Sequence, residues 1–258
     1  MKDWDIQINY GIKTGFNEAF IISGEKRKEL IEQDPKSEEI IRPLLRGRDI
    51  KRYSSEFVDL WLLFIPWHFP LQKDQQITGA SEKAENAFKY QYPAVYNHLL
   101  QYKEELSNRN KTETGIRYEW YALQRWGANY WEDFSKQKIV FQEMVLEPSF
   151  MLDEEGAFFC LDTGRIIIGN DIKYLIAILN SKLFFFAVKN FYGGGGLGEA
   201  GVRMKHTFFE NFNCPFFDRE TKQKIENLLQ NKDYQAINNL VYQLYKLDEE
   251  MIEFIEIQ

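Results

Sequence analysis

The sequence predicts an α+β fold, in which a mixed or antiparallel sheet carries flanking helices and ends in a helical C-terminal part. Three observations lead there. Ile6, Ile8, Tyr10 and Ile12 alternate near the start, which is the pattern of a half-buried strand. Residues 150–168 are strand-rich. Ile237, Leu240, Val241 and Leu244 in the tail follow the i, i+3, i+4, i+7 spacing of one helix face. The 258 residues suffice for one large domain or two small ones.

In chain order, Lys13-Thr14-Gly15-Phe16-Asn17 reads as a turn and residues 19–22 as a second strand, so a hairpin is expected. Residues 25–33 form a short helix stopped at Asp34-Pro35. Residues 37–45 are expected to form a second short helix, ended early by Pro43. Arg46-Gly47-Arg48-Asp49 is turn-like, and residues 58–65 read as a buried strand. Residues 81–89 and 92–106 read as helical, 108–115 as a polar mobile loop, and 139–142 as a return to sheet. Residues 116–134 are dense in aromatics. Asp171 is the expected N-cap of a helix over residues 174–190, and Asp233 that of a tail helix. The expected division is a domain over residues 1–216, with a helical and aromatic middle at about 80–135, and a helical segment over 217–258.

Charge and composition exclude several classes. With 32 basic and 39 acidic residues the net charge is −7, so the chain is no uniformly basic nucleic-acid coat, although a local basic face remains open. Residues 217–258 hold nine acids and five bases, more than half of that net charge. Cys160 and Cys214 are too few for a disulfide scaffold or a tetrathiolate zinc site. His68, His98 and His206 are too scattered for a paired-histidine metal motif. The opening residues do not read as a signal peptide. The most apolar stretch, 174–192, is interrupted by Asn180, Lys182, Lys189 and Asn190, so a soluble cytoplasmic protein is expected.

Three constellations carry chemistry. Arg42, Arg46, Arg48, Lys51 and Arg52 place five cations against one acid, Asp49, within eleven residues. Guanidinium forks at such density suit phosphate oxygens, while the bland alternative is a solvated face with ion pairs to Asp49 and Glu56. Arg117-Tyr118-Glu119-Trp120-Tyr121, then Gln124-Arg125-Trp126 and Tyr130-Trp131, interleave base-reading side chains with aromatics. For most of those aromatics a core role is the stronger expectation. Gly193, Gly195 and Gly198 match GxGxxG, yet the residues before them look helical and no βαβ unit follows, so a mobile loop near Arg203, Lys205 and His206 is preferred to a dinucleotide site. No P-loop, no GxSxG and no Asn-Pro-Pro-Tyr or Asp-Pro-Pro-Tyr appears. The lone ExK of Glu220-Thr221-Lys222 lacks the sheet setting of a nuclease, so no catalytic residue and no metal site is assigned.

Two blocks resemble a known family. Tyr10-Gly11-Ile12-Lys13-Thr14-Gly15-Phe16-Asn17-Glu18-Ala19-Phe20 and Arg42-Pro43-Leu44-Leu45-Arg46-Gly47-Arg48-Asp49-Ile50-Lys51-Arg52-Tyr53 are similar to the TaqI-like C-terminal specificity domain of type IIG restriction–modification enzymes and related adenine methyltransferases. Leu179-Asn180-Ser181-Lys182-Leu183, the glycine loop, Asn213-Cys214-Pro215 and the closing helix around Val241 to Leu247 resemble its later blocks more weakly. The resemblance implies a target-recognition domain that reads double-stranded DNA in the major groove. It implies a separate methyltransferase domain or partner subunit that uses S-adenosylmethionine, and in some members a magnesium-dependent nuclease. On that reading the chain is a specificity fragment or subunit, without catalysis of its own. The residues expected at DNA are Lys13, Thr14, Arg46, Arg48, Lys51, Arg52, Arg117, Gln124, Arg125, Arg203 and Lys205. The alternatives are a protein-interaction module, or a methyltransferase or nuclease with divergent motifs.

Overall fold

A computed structural model describes residues 1, 3–109, 117–195 and 201–257. The strands in chain order are β1 (Ile6–Tyr10), β2 (Ile21–Ser23), β3 (Ile41–Leu45), β4 (Ile50–Lys51), β5 (Ser54–Ser55) and β6 (Leu60–Leu63). They continue with β7 (Lys138–Gln142), β8 (Met144–Val145), β9 (Phe150–Asp153), β10 (Phe159–Cys160), β11 (Gly164–Gly169) and β12 (Val202–Arg203). One sheet, in the order β1-β11-β7-β9, is antiparallel throughout. A second, β10-β3-β6-β2, is mixed, because β10 joins β3 in parallel while the other pairs are antiparallel. The pairs β8–β12 and β4–β5 form short ribbons. The α+β class with mixed and antiparallel sheets and a helical end is therefore the observed one.

The first sheet is a central layer, buried on both faces. Ile139, Phe141 and Ile167 join one core with Leu175, Phe184 and Val241 of the C-terminal helices. Val140, Ile166 and Met151 join the other core with Leu44, Leu62 and Tyr121. Successive side chains point to opposite faces of a strand, so two cores consume both sets. That explains why β7 reads as a run of apolar residues rather than an alternation. The helices Arg219–Gln230 and Tyr234–Leu244 add Ile225 and Ile237 to the same core as Ile139. Asp218 and Asp233 cap these helices by accepting from the Thr221 and Ala236 amides. Among the described residues no helix is long and apolar enough to cross a membrane.

Several expectations are corrected. The hairpin does not form: β1 pairs with β11, and β2 pairs with β6 in the other sheet. The chain crosses between sheets at Gly11-Ile12, where the Ile12 amide donates to the Cys160 carbonyl at 2.8 Å. A Cβ on Gly11 would stand 1.9 Å from the Leu161 carbonyl oxygen, so the close passage requires glycine. Residues 37–45 are not one helix. A 3-10 segment, Pro35–Ile40, gives way to β3, and Pro43 sits within that strand. The span 174–190 holds two helices, Ile172–Leu179 and Lys182–Asn190. They part at Asn180, whose side-chain amide exchanges hydrogen bonds with the Phe150 backbone at 2.8 and 3.0 Å, and Ser181 caps the second helix. Asp171 stands at the N-cap position but in the left-handed region, at φ 58°, and its carboxylate binds Lys222 instead. Most of the expected loop at 108–115 lies outside the described residues.

Candidate nucleic-acid interface

The central sheet brings several segments together at one end, where β1 and β7 finish and β11 begins. Tyr10 closes β1 directly opposite Arg165 of β11. The Arg165 guanidinium lies 4.0 Å from the centre of the Tyr10 ring. It is held there by the Glu143 carboxylate at 2.6 Å and by the carbonyls of Asp162 and Gly164 at 2.7 and 2.9 Å. Arg125 reaches the same ring at 5.5 Å, and His206 meets it edge-on at 6.0 Å. Burial, followed by the Arg165 charge, lowers the His206 pKa.

Cations gather around this point from separate segments. Lys13 and Arg125 exchange both backbone hydrogen bonds at 2.9 Å, so the turn after β1 and the aromatic segment run side by side. Arg125 is half exposed, with Asp162 at 4.0 Å. Arg203 is exposed on the β8–β12 ribbon, which is tied to the sheet end by the Met204 amide donating to the Glu143 carbonyl at 2.6 Å. Lys205 follows, its ammonium over the Phe208 ring. The Gly47–Asp49 turn rests on the end of β7, where a Cβ on Gly47 would lie 2.5 Å from the Gln142 side chain. Arg48 on that turn is exposed, with no hydrogen-bonded or ion-paired partner among the described residues. Lys13, Arg48, Arg125, Arg203 and Lys205 are thus brought to one end of the sheet.

The other expected contact residues are placed differently. Arg46 forks onto Asp49 with two bonds of 2.9 Å, closing its own turn. Burial alone would raise the Asp49 carboxyl, but the Arg46 hydrogen bonds and the Arg46 and Arg48 charges hold it below the usual range. Lys51 forms a loose exposed pair with Glu56 at 3.8 Å. Arg42 donates to the carbonyls of Glu39 and Ile41. Arg52 donates to the Asn180 carbonyl at 3.1 Å, and so pins the break between two C-terminal helices. Thr14 is 3% exposed and gives its hydroxyl to Asn17. Gln124, 9% exposed, packs against Gly15. Thr14 and Gln124 therefore work inside the protein, while Arg52, partly exposed, is engaged on the Asn180 carbonyl. Arg117 is exposed beside the Tyr118–Trp67 stack, and among the described residues no contact joins it to the sheet end.

The aromatic segment is mainly core, with Tyr118, Tyr121 and Leu123 buried. Its organiser is Arg109, which the sequence reading passed over. Arg109 donates to the carbonyls of Leu106, Thr14, Trp120 and Ala122, and burial brings its pKa down to about 10. Lys138 is also buried, bound to the Asp153 carboxylate at 2.5 Å and to the Phe134 carbonyl. Neither residue sits in a pattern that distinguishes it from a surface cation. Of the glycine loop, Gly196 and Gly198 lie outside the described residues, and the helix Lys182–Asn190 precedes it. The Gly194 carbonyl accepts from the Arg203 amide. Among the described residues no group of three or more His, Cys, Asp or Glu is placed to hold a metal ion.

The chain is a member of the TaqI-like C-terminal specificity domain family, whose model matches residues 42–196. The block around Arg42 to Tyr53 lies within that match, whereas residues 10–20 and the tail lie outside it. The chain is 26% identical over 241 residues to the Type II methyltransferase M.MjaIV of Methanocaldococcus jannaschii, a match covering 90% of this chain and 72% of that protein. Its fold is similar to part of MmeI, a Type IIL restriction-modification enzyme solved in complex with DNA, with TM-score 0.60, 14% identity and coverage of 96% of this chain and 33% of that one. It is also similar to part of the type IIG restriction endonuclease BpuSI, with TM-score 0.50, 15% identity and coverage of 89% and 26%. The chain thus spans about a third of the MmeI chain and about a quarter of the BpuSI chain.

Proposed function

We propose that this chain reads double-stranded DNA as the specificity part of a type IIG restriction–modification enzyme that methylates adenine N6. The observation that carries the reading is the convergence of Lys13, Arg48, Arg125, Arg203 and Lys205 at one sheet end, in a protein whose net charge is −7. Surface cations of this kind, of which Arg48, Arg125 and Arg203 are exposed and Lys13 and Lys205 half-buried, contact phosphates and set register, while base edges supply the sequence information. MmeI, whose fold is similar, was solved with DNA, which supports the same partner here. S-adenosylmethionine, and magnesium where cleavage occurs, act in the methyltransferase and nuclease parts of such an enzyme. Residues 1–216 form the recognition domain on this reading, and the acidic segment 217–258 is a helical buttress turned away from DNA. The test is binding to a random-sequence duplex pool, followed by sequencing of the bound fraction. An enriched short motif is expected. Absence of binding even at low salt would overturn the reading.

A further inference from the structure

Tyr10 stands among the gathered cations yet carries no charge and was not among the residues expected at DNA. It is 38% exposed. Its ring is fixed from three separate segments: Arg165 at 4.0 Å, Arg125 at 5.5 Å and His206 edge-on at 6.0 Å. Arg165 cannot easily follow a mobile ring, because Glu143 and two backbone carbonyls hold it. Tyr92, Tyr96, Tyr121, Tyr242 and Tyr245 all donate their hydroxyls to protein acceptors. The Tyr10 hydroxyl, like those of Tyr90, Tyr102 and Tyr130, makes no hydrogen bond to any described residue, but Tyr10 alone of these stands among the gathered cations. A ring held this firmly, with its polar tip unspent, has its ordering cost met before any ligand arrives.

We propose that Tyr10 is a specificity-determining residue whose hydroxyl hydrogen-bonds to the edge of one base in the DNA duplex. This rests on the DNA-reading function proposed above. Phosphate is the weaker assignment for this group. The surrounding guanidinium and ammonium groups bind phosphate through charge, and a neutral hydroxyl adds little beside them. A rigid neutral donor and acceptor discriminates at a base edge, where geometry and hydrogen-bond sense differ between base pairs. The cations on flexible stems then hold the backbone while the fixed tyrosine tests the sequence.

The experiment compares the wild-type chain with Tyr10→Phe and Tyr10→Ala in selection from a random duplex pool. Each protein is also titrated with salt and melted. Tyr10→Phe keeps the ring against Arg165, so it folds as the wild type does. It is expected to keep the salt slope while losing preference at one base position by about tenfold. Tyr10→Ala is expected to lose preference at that same position. If the wild type enriches a motif and Tyr10→Phe keeps every preference in it, this inference falls while DNA reading stands. A uniform loss of affinity across all sequences would likewise overturn it, by making Tyr10 a backbone contact. If the wild type enriches no motif, specific recognition by this chain fails and the inference fails with it.

Discussion

The segment around Trp120 and the sheet end around Tyr10 share a composition, arginine beside aromatic rings, and use it in opposite ways. Around Trp120 the rings are core, and Arg109 is enclosed by four backbone carbonyls. Around Tyr10 a buried guanidinium supports an exposed ring, and further cations stand outside it. The difference lies in what satisfies the donors. A guanidinium whose N–H groups all meet carbonyls is a clamp, whereas one left facing solvent is available to a ligand. Composition alone cannot separate the two, because both environments want a long cation next to flat apolar surface.

The largest effect should come from breaking the clamp. Arg109→Ala leaves buried carbonyls without donors, and we expect it to destabilise the chain by about 3–5 kcal/mol. Denaturant unfolding measures this, and a loss below about 1 kcal/mol would show that the clamp does not hold the aromatic segment. Asp153→Ala is expected to follow closely, at about 3 kcal/mol, because it strands the buried Lys138 ammonium and frees the Ala157 and Phe158 amides. At the sheet end the pattern should invert. Arg48→Glu is expected to leave stability within about 0.5 kcal/mol but to weaken DNA binding and flatten its salt dependence. Arg46→Glu should instead cost stability, since it opens the fork onto Asp49.

The smallest effects concern pH. The folded Asp49 carboxyl titrates below its ordinary value near 3.8, so its contribution is fully present above that value and disappears as the pH falls through the folded pKa. His98 and His206 are also lowered, in both cases mainly by burial. The unfolded chain therefore takes up their protons first, and stability should decline as the pH drops below about 6.5. Replacing both histidines with glutamine should flatten that decline in urea unfolding followed between pH 7 and pH 5. An unchanged slope would assign it to other groups.

Much of the fold was legible because local chemistry agreed with it. Alternation marked β1, the aspartate at 233 stands before the helix it caps, and the apolar run at 139–142 is β7. The pairing of β1 was not legible. A strand followed by a Gly-containing turn and another apolar stretch suggests a hairpin, but the partner of β1 lies in β11, over 150 residues away in sequence. The candidate interface was legible in part. Charge density marked the Arg42–Arg52 region, yet within it Arg46 and Arg52 are spent on Asp49 and on the Asn180 carbonyl, and Arg48 faces solvent. Tyr10 and Arg165 went unnoticed as a pair because only the sheet register places them opposite each other.

The central claim is that the cations gathered at the sheet end contact DNA backbone. The direct measurement is the salt dependence of duplex binding by the wild type and by a variant combining Lys13→Glu, Arg125→Glu and Arg203→Glu, with folding checked by thermal melting. If the account holds, the variant folds, binds more weakly and shows a log affinity versus log salt slope shallower by about 0.9 for each lost phosphate contact. A folded variant with unchanged affinity and unchanged slope would contradict it, and would move the DNA-contacting surface elsewhere on the molecule.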